Sequence, residues 1–193
     1  LAFDPEYEDL MTAISPFTGK KINRFTHVHQ STDDLIKKVK MMRMIGQKTG
    51  TCFQRCVGFD AMNASFITTY KIDKKYGTNY HQRLIDYMTY VQDNDLMIAG
   101  SMTDPKGDRS KKPSQQADPD LFVHIVERRE DGIVVRGAKA HQTGMVNSHE
   151  MLILPTTNLG PDDKDYAVAA AIPVDAPGVI HFFGRQTNEN RRL

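Results

Sequence analysis

The chain has 193 residues, enough to bury a sizeable core in one domain or two small ones. Its 25 Lys and Arg against 24 Asp and Glu leave a net charge of +1 with both signs spread throughout, so charge offers no case for nucleic-acid or membrane binding. Two cysteines cannot make a disulfide framework and fit a reducing cytoplasm; neither a run of about 18 apolar residues nor a signal-peptide pattern is present.

Residues 1 to about 98 read as helices. Ser31-Thr32-Asp33-Asp34 supplies an N-cap and an acidic first turn that faces the positive end of a helix. Leu35, Val39, Met42 and Ile45 then follow helical spacing, and Gly46 and Gly50 weaken the end of this helix before Thr51. The neighbouring Met41, Met42 and Met44 read as core packing. His27 and His29 alternate along an extended segment, so they are expected to face opposite ways and to make a poor joint metal site.

A second helix is predicted over 51–76, and a third over 79–93 with Leu84, Met88 and Val91 on one face. The second carries Cys52 and Cys56, the only cysteines of the chain, at its start. Residues four apart share a helical face, so two thiolates there can grip one iron or zinc site. The alternative is a pair of small buried hydrophobes. A four-ligand site needs two further ligands, and the chain has no third cysteine.

Residues 100–119 are polar and rich in Gly, Pro, Asp and Lys, and read as a loop between domains. Within it, Met102-Thr103-Asp104-Pro105-Lys106-Gly107-Asp108-Arg109 joins a flexible backbone at Gly107 to two cations. Arg can fork onto a phosphate and Lys adds a point charge, which suits a dinucleotide pyrophosphate; an ordinary charged turn is the other reading.

Beyond the loop the period shifts toward two. Strands are predicted over 121–128 and 133–140, around the turn Arg129-Glu130-Asp131-Gly132, and over 150–155, 166–174 and 179–184. Gly137-Ala138-Lys139-Ala140-His141-Gln142-Thr143-Gly144 follows a strand and sets hydrogen-bonding groups between small residues. A flat ring can approach such a backbone closely, and Gln142 and Thr143 can bond ring nitrogens or oxygens of a flavin; a self-satisfied polar turn is the alternative. His149, just beyond, reads as structural. The expected fold class is α+β: a helical domain over 1–99, an inter-domain loop over 100–120, and an antiparallel β-barrel or sandwich over 121–193. Leu1 in place of Met and the polar ending Asn188-Glu189-Asn190-Arg191-Arg192-Leu193 lead us to expect part of a longer protein.

Several of these segments together resemble the 4-hydroxybutyryl-CoA dehydratase family: His27-Val28-His29-Gln30-Ser31-Thr32-Asp33-Asp34-Leu35, Met41-Met42-Arg43-Met44, and Thr49-Gly50-Thr51-Cys52-Phe53-Gln54-Arg55-Cys56-Val57-Gly58. The elements running from Met102 to Arg109 and from Val134 to Gly144, and Asp175-Ala176-Pro177-Gly178, extend the likeness over nearly the whole chain. The wider superfamily includes flavin-dependent 4-hydroxyphenylacetate 3-monooxygenases, and the Pro-x-x-Asp-Arg and His-Gln-Thr-Gly elements look shared across it. The cysteines distinguish the two. Where the monooxygenases tend to read Arg-Ser-Pro-Asp-Tyr, this chain reads Val57-Gly58-Phe59-Asp60-Ala61, without the Arg and Tyr that would handle a phenol.

The resemblance implies an acyl-CoA dehydrogenase-like fold and a homotetramer. It also implies FAD, held by residues Met102 to Arg109 with His141, Gln142 and Thr143, and a [4Fe-4S] cluster bound in part by Cys52 and Cys56. Gln54 would hydrogen-bond near that cluster. The implied reaction takes 4-hydroxybutyryl-CoA to crotonyl-CoA by a radical route with no net redox change, together with vinylacetyl-CoA isomerisation. The remaining cluster ligands and the catalytic carboxylate and tyrosine are expected beyond Leu193. A flavin-dependent phenol hydroxylase, which would not need the thiols, is the other functional reading.

Overall fold

The computed structural model describes residues 4–50 and 55–184. The chain opens with a short helix α1 (Glu8–Met11) and an antiparallel hairpin of β1 (Thr12–Ile14) and β2 (Lys21–Asn23), with Ala13 opposite Ile22. This hairpin corrects the expectation of helix throughout the first 98 residues: strands of three residues are too short to show a period. A 3₁₀ turn, Arg24–Thr26, follows, capped by the Asn23 side chain on the Phe25 amide.

Three longer helices come next. In α2 (Thr32–Thr49) the Ser31 hydroxyl accepts from the Asp34 amide while the Asp34 carboxylate receives the Ser31 amide, a reciprocal cap at the N-terminus. Gly50, at φ +65°, closes the other end in the left-handed region. Helix α3 (Cys56–Tyr76) ends the same way at Gly77. Asp73 then bridges to α4 (Tyr80–Asp93), accepting from the Thr78 hydroxyl and from the amides of Tyr80 and His81, which supplies the acceptor α4 lacks at its own N-cap.

The second half carries β3 (Ile98–Ser101), β4 (His124–Arg128), β5 (Ile133–Arg136), β6 (Glu150–Ile153) and β7 (Ala170–Pro173). Strands β4 and β5 form the expected hairpin across Arg129 to Gly132, with a register shift between Ile125 and Glu127. The other three form one sheet in the order β3-β6-β7. Here β6 and β7 are antiparallel, but β3 pairs with β6 in parallel, Ile98 opposite Glu150 and Ser101 opposite Ile153. The sheet is therefore mixed, not antiparallel throughout. A 3₁₀ segment, Pro161–Tyr166, precedes β7 where a strand was expected from Tyr166 onward. Residues 179–184 are not a strand either: no neighbour among the described residues pairs with them as a strand, and Ile180, Phe182 and Phe183 are exposed.

One core spans helices and sheet, with Val28, Ala61, Met62, Met88 and Val91 packed against Ile98 of β3 and Leu152 of β6. A second lies beneath α2, where Met11, Phe25, Met41, Ile45 and Phe59 meet. Met41 is completely buried, with Met42 and Met44 packed at the edge, so the methionine run is core as expected.

His27 and His29 differ from expectation. Their rings lie 6.4 Å apart edge to face, and His29 also meets Phe59 at 5.0 Å, so the segment does not send them to opposite sides. No group of three or more His, Cys, Asp or Glu among the described residues is placed to hold a metal. His27 is buried with Nε2 3.2 Å from Asp34, while its Nδ1 and His29 Nε2 are buried without partners among the described residues. Burial holds both histidines below the usual pKa, against the opposing pull of Asp34. Burial acts on Asp34 in the other direction, but hydrogen bonds from the Gln30 amide, Ser31 and His27 outweigh it and hold the carboxyl at about 2.

A two-step acid dependence follows. The histidines stabilise the fold above their ordinary pKa of about 6.5, and that contribution is lost as the pH falls through their lower folded values. Asp34 contributes roughly 2 kcal/mol that is present above about 4 and lost as the pH falls toward 2. Urea unfolding measured from pH 8 to pH 2 should show both windows, and Asp34→Asn should flatten the lower one. A lower window unchanged in that variant would refute the assignment.

Candidate functional site

The loop from Met102 to Arg109 leaves β3, and the turn from Gly137 to Gly144 leaves β5; the fold brings them together. The Ala140 amide donates to the Thr103 carbonyl at 2.8 Å. Lys139 donates to Asp104 Oδ1 at 2.6 Å and to the carbonyls of Met102 and Leu154 at 3.1 and 2.8 Å. Asp104 Oδ2 takes the Thr156 hydroxyl at 3.0 Å. Gly137 sits against the Phe122–Val123 backbone at φ +136°, where a Cβ would collide and the conformation disfavours any other residue. Two motifs expected on separate grounds thus form one surface. Lys139 and Thr156, which join them, escaped sequence reasoning because a lysine ordinarily reads as a solvated charge.

The side chains at this junction divide by role. Asp104 is occupied within the protein. His141 is exposed in the left-handed region at φ +57°, uncommon for a residue with a Cβ. Gln142 donates to the Ala140 carbonyl at 2.7 Å, leaving its Oε1 buried without a partner among the described residues. Thr143 is exposed beside it. Farther along the loop, Gln116 holds the backbone, accepting from the Asp108 amide at 3.0 Å and donating to its carbonyl at 2.9 Å. Gly107 lies against the ends of the Gln116 and Leu121 side chains, which a Cβ there would displace. Pro105 is half-buried, and the Asp108 carboxylate bonds Ser110. Lys106 and Arg109 are exposed and make no ion pair or hydrogen bond among the described residues.

This set fits a flavin nucleotide. A buried acceptor and two cations without partners among the described residues suit a ring N–H and phosphates, and an exposed hydroxyl suits a ring edge.

Helix α3 begins one strand away. Its described start is Cys56, with Arg55 as N-cap, rather than residue 51. Cys52 and Gln54, and with them the helical face expected to be shared by the two cysteines, lie outside the described residues. Arg55 anchors this point, donating to Asp95 at 2.8 Å and to the Leu96 carbonyl at 3.2 Å, with its guanidinium over the Phe25 ring. Cys56 is half-buried. The next turn packs hard on β3: a Cβ on Gly58 would strike the Ile98 carbonyl, and one on Gly100 would strike Val57. These two glycines let helix and strand approach, and β3 runs directly into Met102. A four-ligand cluster site is not completed by the described residues, which offer the Cys56 thiol alone.

His149 is structural, its Nδ1 accepting from the Met97 amide at 3.0 Å. No described helix is long and apolar enough to cross a membrane.

Comparison with known proteins gives this arrangement its context. The chain is 63% identical over all 193 residues to the 4-hydroxybutyryl-CoA dehydratase/vinylacetyl-CoA-Δ-isomerase of Clostridium aminobutyricum, covering 39% of that protein. It is 30% identical over 186 residues to the oxygenase component of a 4-hydroxyphenylacetate 3-monooxygenase from Thermus thermophilus, covering 96% of this chain and 37% of the relative. The chain thus spans about two fifths of the length of these relatives. Among solved structures, an oxygen-tolerant archaeal 4-hydroxybutyryl-CoA dehydratase from N. maritimus superposes with a TM-score of 0.87 at 55% identity, covering 90% of this chain and 35% of that one. The oxygenase component of 4-hydroxyphenylacetate 3-monooxygenase complexed with FAD superposes at 0.74 with 27% identity, covering 92% and 36%. The family described as 4-hydroxyphenylacetate 3-hydroxylase N terminal matches residues 1–193, and the chain belongs to that family.

Proposed function

We propose that the chain forms part of a 4-hydroxybutyryl-CoA dehydratase with vinylacetyl-CoA Δ-isomerase activity, a cytoplasmic homotetramer that holds FAD and a [4Fe-4S] cluster and acts on an acyl-CoA. The observation that carries this is the 63% identity along the entire chain to such an enzyme, against 30% to the monooxygenase. The exposed Ile180, Phe182 and Phe183 are apolar surface that assembly would cover. Within the reading, residues 1–99, 100–120 and 121–193 are the helical domain, the flavin loop and the β domain of an acyl-CoA dehydrogenase-like fold.

The residues take these roles. Lys106 and Arg109 bind the FAD pyrophosphate or ribityl region. Gln142 Oε1 and the Thr143 hydroxyl meet the isoalloxazine ring. The Thr103 and Ala140 backbones hold loop and turn in register. Cys52 and Cys56 give two thiolates to the cluster, with Gln54 hydrogen-bonding near them. Bound flavin supplies a reversible electron acceptor, which suits a dehydration without net redox change. No catalytic acid or base is assigned on this chain.

The test is anaerobic purification of the full-length protein, with iron and flavin analysis and an assay for crotonyl-CoA from 4-hydroxybutyryl-CoA. Flavin without iron, together with hydroxylation of a phenol by oxygen and reduced flavin, would instead establish the monooxygenase reading. Arg109→Ala should weaken FAD binding about tenfold, the cost of one charge-assisted hydrogen bond. Thr143→Val should leave FAD bound but shift the flavin potential and the rate. Unchanged FAD affinity in the first and unchanged potential and kinetics in the second would remove both roles.

A further inference from the structure

We propose that Lys139 is the positioning residue of the flavin site, and that Asp104 serves it as a strut rather than touching the ligand; the inference rests on the flavin reading above. Lysine is almost never buried unless paired. Here the side chain is 9% exposed, and Asp104 is 11% exposed. The ammonium has three N–H donors, and three acceptors surround it: Asp104 Oδ1 at 2.6 Å, the Leu154 carbonyl at 2.8 Å and the Met102 carbonyl at 3.1 Å. They come from the residues following β3 and β6, and Lys139 itself lies on the run leaving β5. One side chain therefore fixes three strand exits relative to one another.

The consequences reach the ligand-facing groups through a short path. Met102 and Thr103 begin the loop that carries Lys106 and Arg109. Ala140, next to Lys139, donates to the Thr103 carbonyl at 2.8 Å, and its own carbonyl takes the Gln142 amide group at 2.7 Å. Between them His141 holds a backbone conformation that residues with a Cβ seldom adopt, and something must impose it. The clamp supplies that constraint from one side. Both Asp104 oxygens are engaged, Oδ1 by Lys139 and Oδ2 by the Thr156 hydroxyl at 3.0 Å, and Thr156 also reaches the Met102 carbonyl at 3.1 Å.

A buried ion pair is a poor means of stabilisation alone, since a well-packed apolar pair of similar volume often does as well or better. What an apolar pair cannot reproduce is direction: three donors aimed at three acceptors set the angle between loop and turn. Arginine, longer and planar, does not present that tripod.

The test compares the wild-type full-length protein with Lys139→Met and with the double variant Lys139→Met/Asp104→Leu. FAD is removed and titrated back by fluorescence, thermal unfolding of the FAD-free protein is recorded, and exchange of the Ala140 amide is followed in the same FAD-free samples. Lys139→Met should weaken FAD binding about tenfold or more and speed Ala140 exchange. The double variant should recover thermal stability, because no charge is left unpaired, without recovering FAD affinity or Ala140 protection. FAD affinity that returns together with stability would reduce the pair to a structural contact and overturn the proposal. So would FAD affinity unaltered in both variants while the wild type binds normally, a result that leaves the flavin reading intact. Failure of the wild type to take up FAD would refute that reading, and this inference with it. Should the single variant not fold, the double variant decides alone by the same criteria.

Discussion

Cys56→Ala or Cys52→Ala in the full-length protein is expected to remove most of the bound iron and to lower dehydratase turnover at least about a hundredfold, since losing even an outer-shell partner of a metal ligand costs about 10- to 100-fold. A thiolate ligand has no substitute in alanine, and a cluster held by four side chains does not tolerate the loss of one. The fold should survive. Cys56 is half-buried at the first turn of α3, outside the core clusters that seat the helix through Phe59, Ala61 and Met62. Circular dichroism of the FAD-loaded protein should therefore change little while iron content falls, and any drop in the unfolding midpoint should be no more than the lost cluster binding accounts for. Cys→Ser is the informative companion, since it keeps the size and exchanges a soft donor for a hard one. Normal iron and turnover in both alanine variants would end the cluster assignment. Loss of iron together with loss of fold would mean that the thiols act on structure instead.

The parts of this fold legible in the sequence are the ones written locally. Ser31 and Asp34 announce the start of α2 because the cap is a contact between residues three apart, and Gly50 announces its end because a left-handed residue is needed there. Arg129 to Gly132 announces a hairpin for the same reason. The parallel pairing of Ile98–Ser101 with Glu150–Ile153 is not legible: its register depends on about fifty intervening residues, and the two buried strands carry no alternation to fix a face. The run 179–184 shows the reverse failure. Its apolar residues look like a strand, but a strand needs a neighbour, and none lies beside it among the described residues.

The site divides along the same line. Met102 to Arg109 and His141 to Thr143 are recognisable as separate segments, each with its own reason to meet a flavin. That they touch is a property of the β3 and β5 exits and of Lys139, whose burial follows from tertiary structure. Gly58 and Gly100 are similar. Each looks like an ordinary glycine in sequence, and only the approach of α3 to β3 shows that neither position has room for a Cβ.

Arg24→Met is expected to cost about 3–5 kcal/mol of folding stability, the usual penalty for breaking a buried charge network from one side. Arg24 is 3% exposed. Its guanidinium donates to the carbonyls of Leu10 at 2.8 Å, Asp9 at 3.1 Å and Thr12 at 2.5 Å, and lies 3.5 Å from Asp34. One side chain thus satisfies the carbonyls where α1 gives way to β1, and it shares the acid that caps α2 and contacts His27. Methionine fills much of the volume but leaves those carbonyls without their donor and Asp34 without its cation. Lysine should rescue little, because a single ammonium cannot fork toward acceptors so spread apart. Beneath this network Met11 and Phe25 pack on Phe59, so the damage should reach the helix that begins at Cys56. Urea titration should show a lower midpoint at an unchanged slope, the signature of lost stability rather than altered compactness. A variant within about 1 kcal/mol of wild type would show that the N-terminal segment is held mainly by its apolar contacts, since an exposed ion pair is worth no more than that.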